Sequence, residues 1–272
     1  MNPGARGDGQ PSPSACIVVF TKPAVPGRVK TRLQKSDGRL PGLSPDQAAR
    51  LHTAFLADVL EGLRGLHHER ESGEVNVEIA WALDGAEESD APSAIPEFEA
   101  TWGDWRRPGF VEQCGIPSSQ QGGVDLGERL WRALRSVGKR HEIVVAVGSD
   151  HPELRTADLR AALSACRGSD RRAVFVPADD GGFVLLALRA QNITQELFEG
   201  IEWSTANVMG QCRDRARAVG LEVVELDVAH DCDDPEALRS LAERLSGSNA
   251  HCRHTMVVLR ELEAAGCLES VA

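Results

Sequence analysis

No C-x-x-C pair occurs anywhere in this 272-residue chain. Its seven cysteines (Cys16, Cys114, Cys166, Cys212, Cys232, Cys252 and Cys267) are scattered and odd in number. That pattern argues against a disulfide framework or a zinc site and suits reduced thiols. No apolar run approaches the length needed to span a bilayer, and no charged-then-apolar leader of the signal-peptide kind is visible. A soluble cytoplasmic protein with no membrane partner is therefore expected. Positive charge is scarce: 30 Lys and Arg against 41 Asp and Glu give a formal net charge of -11. Such a field repels phosphate from a distance, so general nucleic-acid or anionic-membrane binding is disfavoured and any phosphate site has to be local. What the chain does have is 42% hydrophobic residues, enough for the core of one α/β unit with tails.

The most informative stretch is Ile143-Val144-Val145-Ala146-Val147-Gly148-Ser149-Asp150-His151-Pro152. Its unbroken apolar start reads as a strand buried on both faces, and Pro152 stops further pairing. Asp150 is then either a turn cap or a ligand at the carboxyl end of a central strand, where α/β sheets open their crevice. A second buried strand is expected at Cys16-Ile17-Val18-Val19-Phe20. The loop after it, Thr21 to Leu33, is broken by Pro23, Pro26 and Gly27. It starts a run of five cations, Lys22, Arg28, Lys30, Arg32 and Lys35, with no acidic residue between Ala15 and Ser36. In so acidic a chain this is a local anion trap, although Val29 before Lys30 rules out a Walker P-loop.

The remaining elements follow from caps and periodicity. Residues 1–14, rich in Gly, Pro and Ser, are expected to be disordered. Ser44-Pro45-Asp46-Gln47 starts a helix with its apolar face running through Leu66. Residues 75–81 alternate as a strand, and the stretch from Asp84 to Pro117, with Trp102 and Trp105, is poorly patterned. Asp125 and Glu128 make a capping box for a helix, Thr156 is read as the cap of the next, and residues 173–178 as a strand. Asp179-Asp180-Gly181-Gly182 is a turn whose glycines would let backbone approach a ligand. A helix is expected near 207–219, a strand at 221–226, and a further helix with Asp234 as cap and Pro235 first. That leaves Asp231 and Asp233 in a second acidic strand-end loop. An amphipathic helix is expected over 254–267. His251-Cys252-Arg253-His254 lacks a matching second pair of ligands and is expected on the surface.

Six stations now stand in order: Phe20 to Leu33, Gln121 to Arg129, Gly148 to Pro152, Pro177 to Phe183, Trp203-Ser204-Thr205, and Asp231 to Glu236. Together, from about Cys16 to Leu245, they resemble a bacterial family assigned to glycosyl transfer and linked to arsenosugar biosynthesis, long catalogued as a domain of unknown function. That family is similar to the nucleotide-diphospho-sugar transferases and, more distantly, to molybdenum-cofactor and phospholactate guanylyltransferases. The resemblance implies a GT-A-type three-layer α/β/α sandwich around a mostly parallel, mixed sheet over 15–248, with 249–272 as a C-terminal helical extension. It implies Mg²⁺ or Mn²⁺ held by Asp150 and Asp233, and phosphates held by Lys22, Lys30 and Arg32, with Gly27 and Arg28 in the same loop. Gln121 and Asp125 would lie near base, ribose or phosphates, and Gly181 and Gly182 beside the nucleotide. Asp150, Lys30 and, as acceptor-side base, Asp180 would be catalytic. Two departures are visible: Phe183 stands where an aromatic hydroxyl is usual, and Asp150 lacks the second Asp of a D-x-D.

Hard carboxylate oxygens suit such metals, and metal and loop cations together would neutralise charge on a leaving phosphate. Three activities share this equipment. The first is glycosyl transfer from a nucleotide-sugar to a small acceptor. The second is nucleotidyl transfer from a nucleoside triphosphate to a phosphorylated small molecule. The third is non-catalytic nucleotide binding.

Overall fold

The computed structural model describes residues 14–36, 38–67, 75–82, 118–247 and 251–269. The expectations for the N-terminal tail, apart from Ser14, and for Trp102 and Trp105 lie outside the described residues. Among the described residues, seven strands form one sheet: β1 (Ala15–Thr21), β2 (Val75–Trp81), β3 (Ser118–Gln120), β4 (Ile143–Gly148), β5 (Arg172–Pro177), β6 (Phe183–Arg189) and β7 (Glu222–Glu225). Their order is β3-β2-β1-β4-β6-β5-β7. All neighbours are parallel except at β6, which runs antiparallel to β4 and β5. This is the expected mixed, mostly parallel sheet.

The apolar runs of β1 and β4 have a direct cause. Alternate residues of each strand face opposite sides, and both sides are covered. Ile17, Val19, Val145 and Val147 pack with helices α1 (Pro45–His67), α3 (Thr156–Arg167), α5 (Pro235–Ser246) and α6 (Arg253–Ala264). Val18, Val144 and Ala146 pack on the other side with α2 (Leu126–Val137) and α4 (Val208–Ala218). Among the described residues no helix is long and apolar enough to cross a membrane.

The caps explain where helices begin. Ser44 and Gln47 exchange hydrogen bonds at 3.1 and 2.8 Å, so α1 opens on a reciprocal capping box. Asp125 accepts from Glu128 N at 2.8 Å, and Asp234 from Ala237 N at 2.9 Å with Pro235 behind it. Two sequence expectations are corrected. Thr156 does not cap α3, which starts behind Arg155; its hydroxyl donates instead to Gly62 O at 2.8 Å and ties α3 to α1. Cys252 and His254 are buried rather than on the surface, because the start of α6 docks on α1. There the buried Asp58 accepts from His254 N at 3.0 Å and Thr255 N at 2.8 Å, an N-cap supplied from another helix. The short β3 was not legible in the sequence, since three polar residues carry no period.

Asp58→Ala is expected to lose about 2–3 kcal/mol of stability in urea unfolding, because two buried amides are left without an acceptor. Burial pushes the Asp58 carboxyl up to about 7, despite the hydrogen bonds from α6. The folded protein then keeps a proton that the unfolded chain releases near pH 4, so this group's contribution falls as pH rises from about 4 to about 7. Subtracting the stability profile of Asp58→Asn from that of wild type should expose this slope; a flat difference would refute it.

Candidate active site

The sheet changes direction of growth between β1 and β4: β1 continues to β2 on one side, while β4 lies on its other side. At such a switch point the loops leaving two carboxyl ends diverge and open a crevice. Here the crevice is a cleft of about 540 Å³, lined by the loop after β1, the ends of β4 and β5, the start of α2, residues 203–205 and the loop of residues 231–233.

At its base sits Lys30, whose side chain is only 2% exposed. Its backbone adopts φ of 47°, an uncommon value for a residue with a Cβ. The Nζ donates to Cys232 O and Asp233 Oδ1, both at 2.9 Å, and stands 2.9 Å from Asp150 Oδ1. It also lies over the Phe55 ring of α1, 5.1 Å from the centroid, a favourable place for a desolvated cation. Burial opposes the charge on Lys30, but the carboxylates of Asp150 and Asp233 outweigh it and raise its pKa. Asp150 is held well below the usual carboxylate range: burial works the other way, and Lys30 and His52 prevail. His52 Nδ1 is 3.3 Å from Asp150 Oδ1, while its Nε2 lies 3.1 Å from Lys22 O and 3.3 Å from Thr21 Oγ1. The next residue, His151, is buried with Nδ1 donating to His230 O at 3.0 Å, and burial lowers its pKa.

The opposing wall is acidic. His230 Nδ1 pairs with Asp179 Oδ2 at 2.7 Å, and Asp180 Oδ1 accepts from Gly182 N at 2.8 Å. Burial, with the carboxylates of Asp180, Asp233 and Asp179, pushes Asp231 up to about 7. The cationic wall is the β1 loop. Lys22, Arg28 and Arg32 are exposed and line the cleft, while Val29 and Leu33 on the same turn are buried and anchor it.

The cleft therefore gathers Lys22, Arg28, Lys30, Arg32, Gln121, Asp150, Asp180, Gly182 and Asp233, residues spread over more than 200 positions of sequence. Gly27, Asp125 and Gly181 do not line it. Gly27 supplies a left-handed φ of 79° in open space. The carboxylate of Asp125 is engaged at the start of α2. Gly181 does allow a close approach, but to the backbone of Ala206, 2.1 Å from where a Cβ would stand. Gln121 spends its amide hydrogens on Ala80 O at 2.7 Å and Thr21 O at 3.4 Å, bracing the ends of β2 and β1. Sequence reasoning passed over His52 and Arg129, both in the cleft. A histidine beside Leu51 on the apolar face of α1 was the available signal for the first. Arg129 closes the Gln121 to Arg129 stretch, which by pattern alone reads as a helix start and gives that side chain no role.

Asp150 and Asp233 suit a hard divalent cation in donor type, since carboxylate oxygen is what Mg²⁺ and Mn²⁺ prefer. Their side chains are 41% and 44% exposed, so the pair is open to the cleft although each Oδ1 faces Lys30. The crowding of acidic groups that raises Asp231 also leaves local negative charge in excess of the one lysine.

The family described as "Uncharacterized protein conserved in bacteria (DUF2064)" matches residues 75–205. A crystal structure from Desulfovibrio desulfuricans G20, provisionally named a nucleotide-diphospho-sugar transferase, is 30% identical over 92% of this chain and 95% of that one, with TM-score 0.71. A cytidylyltransferase from Leptospira borgpetersenii serovar Hardjo-bovis is 10% identical, with 95% and 98% covered and TM-score 0.49. A CMP:2-keto-3-deoxy-manno-octonic acid synthetase complexed with CTP is 12% identical, with 86% and 99% covered and TM-score 0.46. Likeness at these last two levels bears on neither substrate nor reaction. Comparison with curated proteins gives no match.

Two glycines separate shape from strain. Gly181→Ala combines a φ of 89° with a collision against Ala206 O and should lower stability by about 2–4 kcal/mol. Gly27→Ala meets only open space and should cost about 1 kcal/mol. Thermal unfolding of both variants tests the order; equal losses would contradict it.

Proposed function

The chain belongs to the bacterial DUF2064 family, and on that premise we propose that it is a metal-dependent transferase acting on a nucleotide diphosphate, transferring a glycosyl group from a nucleotide-sugar to a small acceptor. The observation that carries the reading is the pairing of walls at the switch point. Exposed cations of the β1 loop face carboxylates from two other loops across one cleft. A diphosphate satisfies the first wall, and a divalent cation between phosphate and carboxylate satisfies the second. The provisional naming of the Desulfovibrio relative supports the donor class.

In this reading Arg28, Arg32 and Lys22 take the phosphates, where guanidinium groups can bind oxygens in pairs. Asp150 and Asp233 would hold Mg²⁺ or Mn²⁺, which when bound would stabilise charge developing on the leaving diphosphate. The acceptor hydroxyl attacks the sugar carbon as the carbon–oxygen bond to the diphosphate breaks. Asp180, on the acidic wall, receives the hydroxyl proton. Trp203 and Leu126 supply apolar lining against which base or sugar can pack. His52 and Gln121 act on the protein's own groups, holding Asp150 and the strand ends.

The reading is tested with a panel of nucleotide-sugars and Mn²⁺, scoring release of nucleoside diphosphate. Release is expected with at least one donor, and Asp150→Asn or Asp233→Asn should lower it about a hundredfold or more. Arg28→Ala and Arg32→Ala should each weaken donor binding about tenfold. Pyrophosphate released from a nucleoside triphosphate in place of these products would assign nucleotidyl transfer, which the same walls serve. Binding without turnover of any donor or triphosphate would leave a nucleotide-binding module.

A further inference from the structure

We infer that Lys30 is the resident cation of the Asp150–Asp233 pair, placed to hold the two carboxylates together and to bar a free divalent cation from them, so that phosphate capture falls to Arg28 and Arg32. The inference rests on the reading of Asp150 and Asp233 as the metal-holding pair of a diphosphate site.

An ammonium has three N–H donors and no more. Lys30 donates to Cys232 O and Asp233 Oδ1, and its charge also stands against Asp150 Oδ1, all at 2.9 Å. The Phe55 ring covers another side of the group, and 2% side-chain exposure leaves no approach for a phosphate oxygen. A left-handed backbone at residue 30 turns the side chain inward, whereas Arg28 and Arg32 point outward on the same loop. The side chains of these two arginines make no ion pair or hydrogen bond among the described residues. Of the cations in this loop, Lys30 is thus spent inside the protein while Arg28 and Arg32 are left for a ligand.

The consequence for metal is electrostatic. A divalent ion alone would have to sit beside an ammonium that already neutralises half of the pair's charge, and desolvation strengthens that repulsion. An ion arriving with a diphosphate brings compensating negative charge, and Arg28 and Arg32 help to hold the complex. The site is therefore built to take metal together with its phosphate ligand and to refuse metal alone.

Mn²⁺ binding measured without nucleotide tests the first half. Lys30→Met, which keeps an unbranched side chain one atom shorter and removes the charge, should bind Mn²⁺ about tenfold tighter or more than wild type. The gain should vanish in Lys30→Met combined with Asp150→Asn. Equal or weaker Mn²⁺ binding by Lys30→Met overturns the proposal. Should Lys30→Met fail to fold, wild-type Tm decides: Mn²⁺ alone should leave it unchanged, and a rise that Asp150→Asn abolishes overturns the proposal. Pyrophosphate binding in chelator tests the second half. Lys30→Met should bind it as wild type does, while Arg28→Ala and Arg32→Ala should lose about tenfold. A loss in Lys30→Met equal to that of the arginine variants overturns the division of labour. Failure of wild type to bind pyrophosphate, or pyrophosphate with Mn²⁺, counts against the proposed diphosphate site, and the Mn²⁺-alone measurements then decide on Lys30 independently.

Discussion

A single buried ammonium organises the carboxyl edge of this sheet. Lys30 arrives from the loop after β1, Asp150 from the end of β4, and Cys232 and Asp233 from the loop before α5. All meet within 2.9 Å of one nitrogen. These segments are otherwise poor in regular pairing, so without that charge two carboxylates would repel and the segments bearing them would have little reason to converge. A buried ion pair gives modest net stability, because desolvating the partners offsets most of the attraction. What it fixes is geometry: which oxygens face inward, and which faces of Asp150 and Asp233 remain toward the cleft.

Around this contact the structure spends other polar groups on bracing. His52 reaches from α1 to Asp150 and to the end of β1, and Gln121 ties β1 to β2. Gly181 lets the turn after β5 rest on the backbone before α4. The braced groups are the ones the cleft needs, and the bracing groups sit in α1 or in the loops beside β3 and β5, elements whose positions are set by the two apolar layers. Rigid elements holding a reactive edge is the arrangement that precise positioning of a diphosphate requires.

Much of the architecture was legible because it follows from local rules. Unbroken apolar runs mark strands covered on both sides, as at Val144 to Val147 and Ile17 to Val19. Ser44, Asp125 and Asp234 mark helix starts by side-chain oxygens that accept from the third residue on. The failures have physical causes as well. Thr156 looked like a cap because its hydroxyl could turn back on its own helix, and a carbonyl on α1 competed successfully for it. The residues from His251 to His254 looked like surface because four polar or small side chains in a row carry no hydrophobic signal. Asp58, nearly two hundred positions earlier, holds the start of α6 against α1, which buries Cys252 and His254 while His251 and Arg253 stay exposed.

By itself, the sequence determined the residue types at the three strand ends, the local basic character of the first loop against an acidic chain, and the alternation that makes the sheet. These are properties of neighbours along the chain, and short-range chemistry expresses them. Tertiary structure decided which cation turns inward. Lys30 and Arg32 are two residues apart and equally basic on paper; one is enclosed by carboxylates and an aromatic ring, the other stands in solvent. That difference arises from a positive φ and from partners 120 and 203 positions away, and no local pattern encodes the meeting of charges that only the folded sheet brings together.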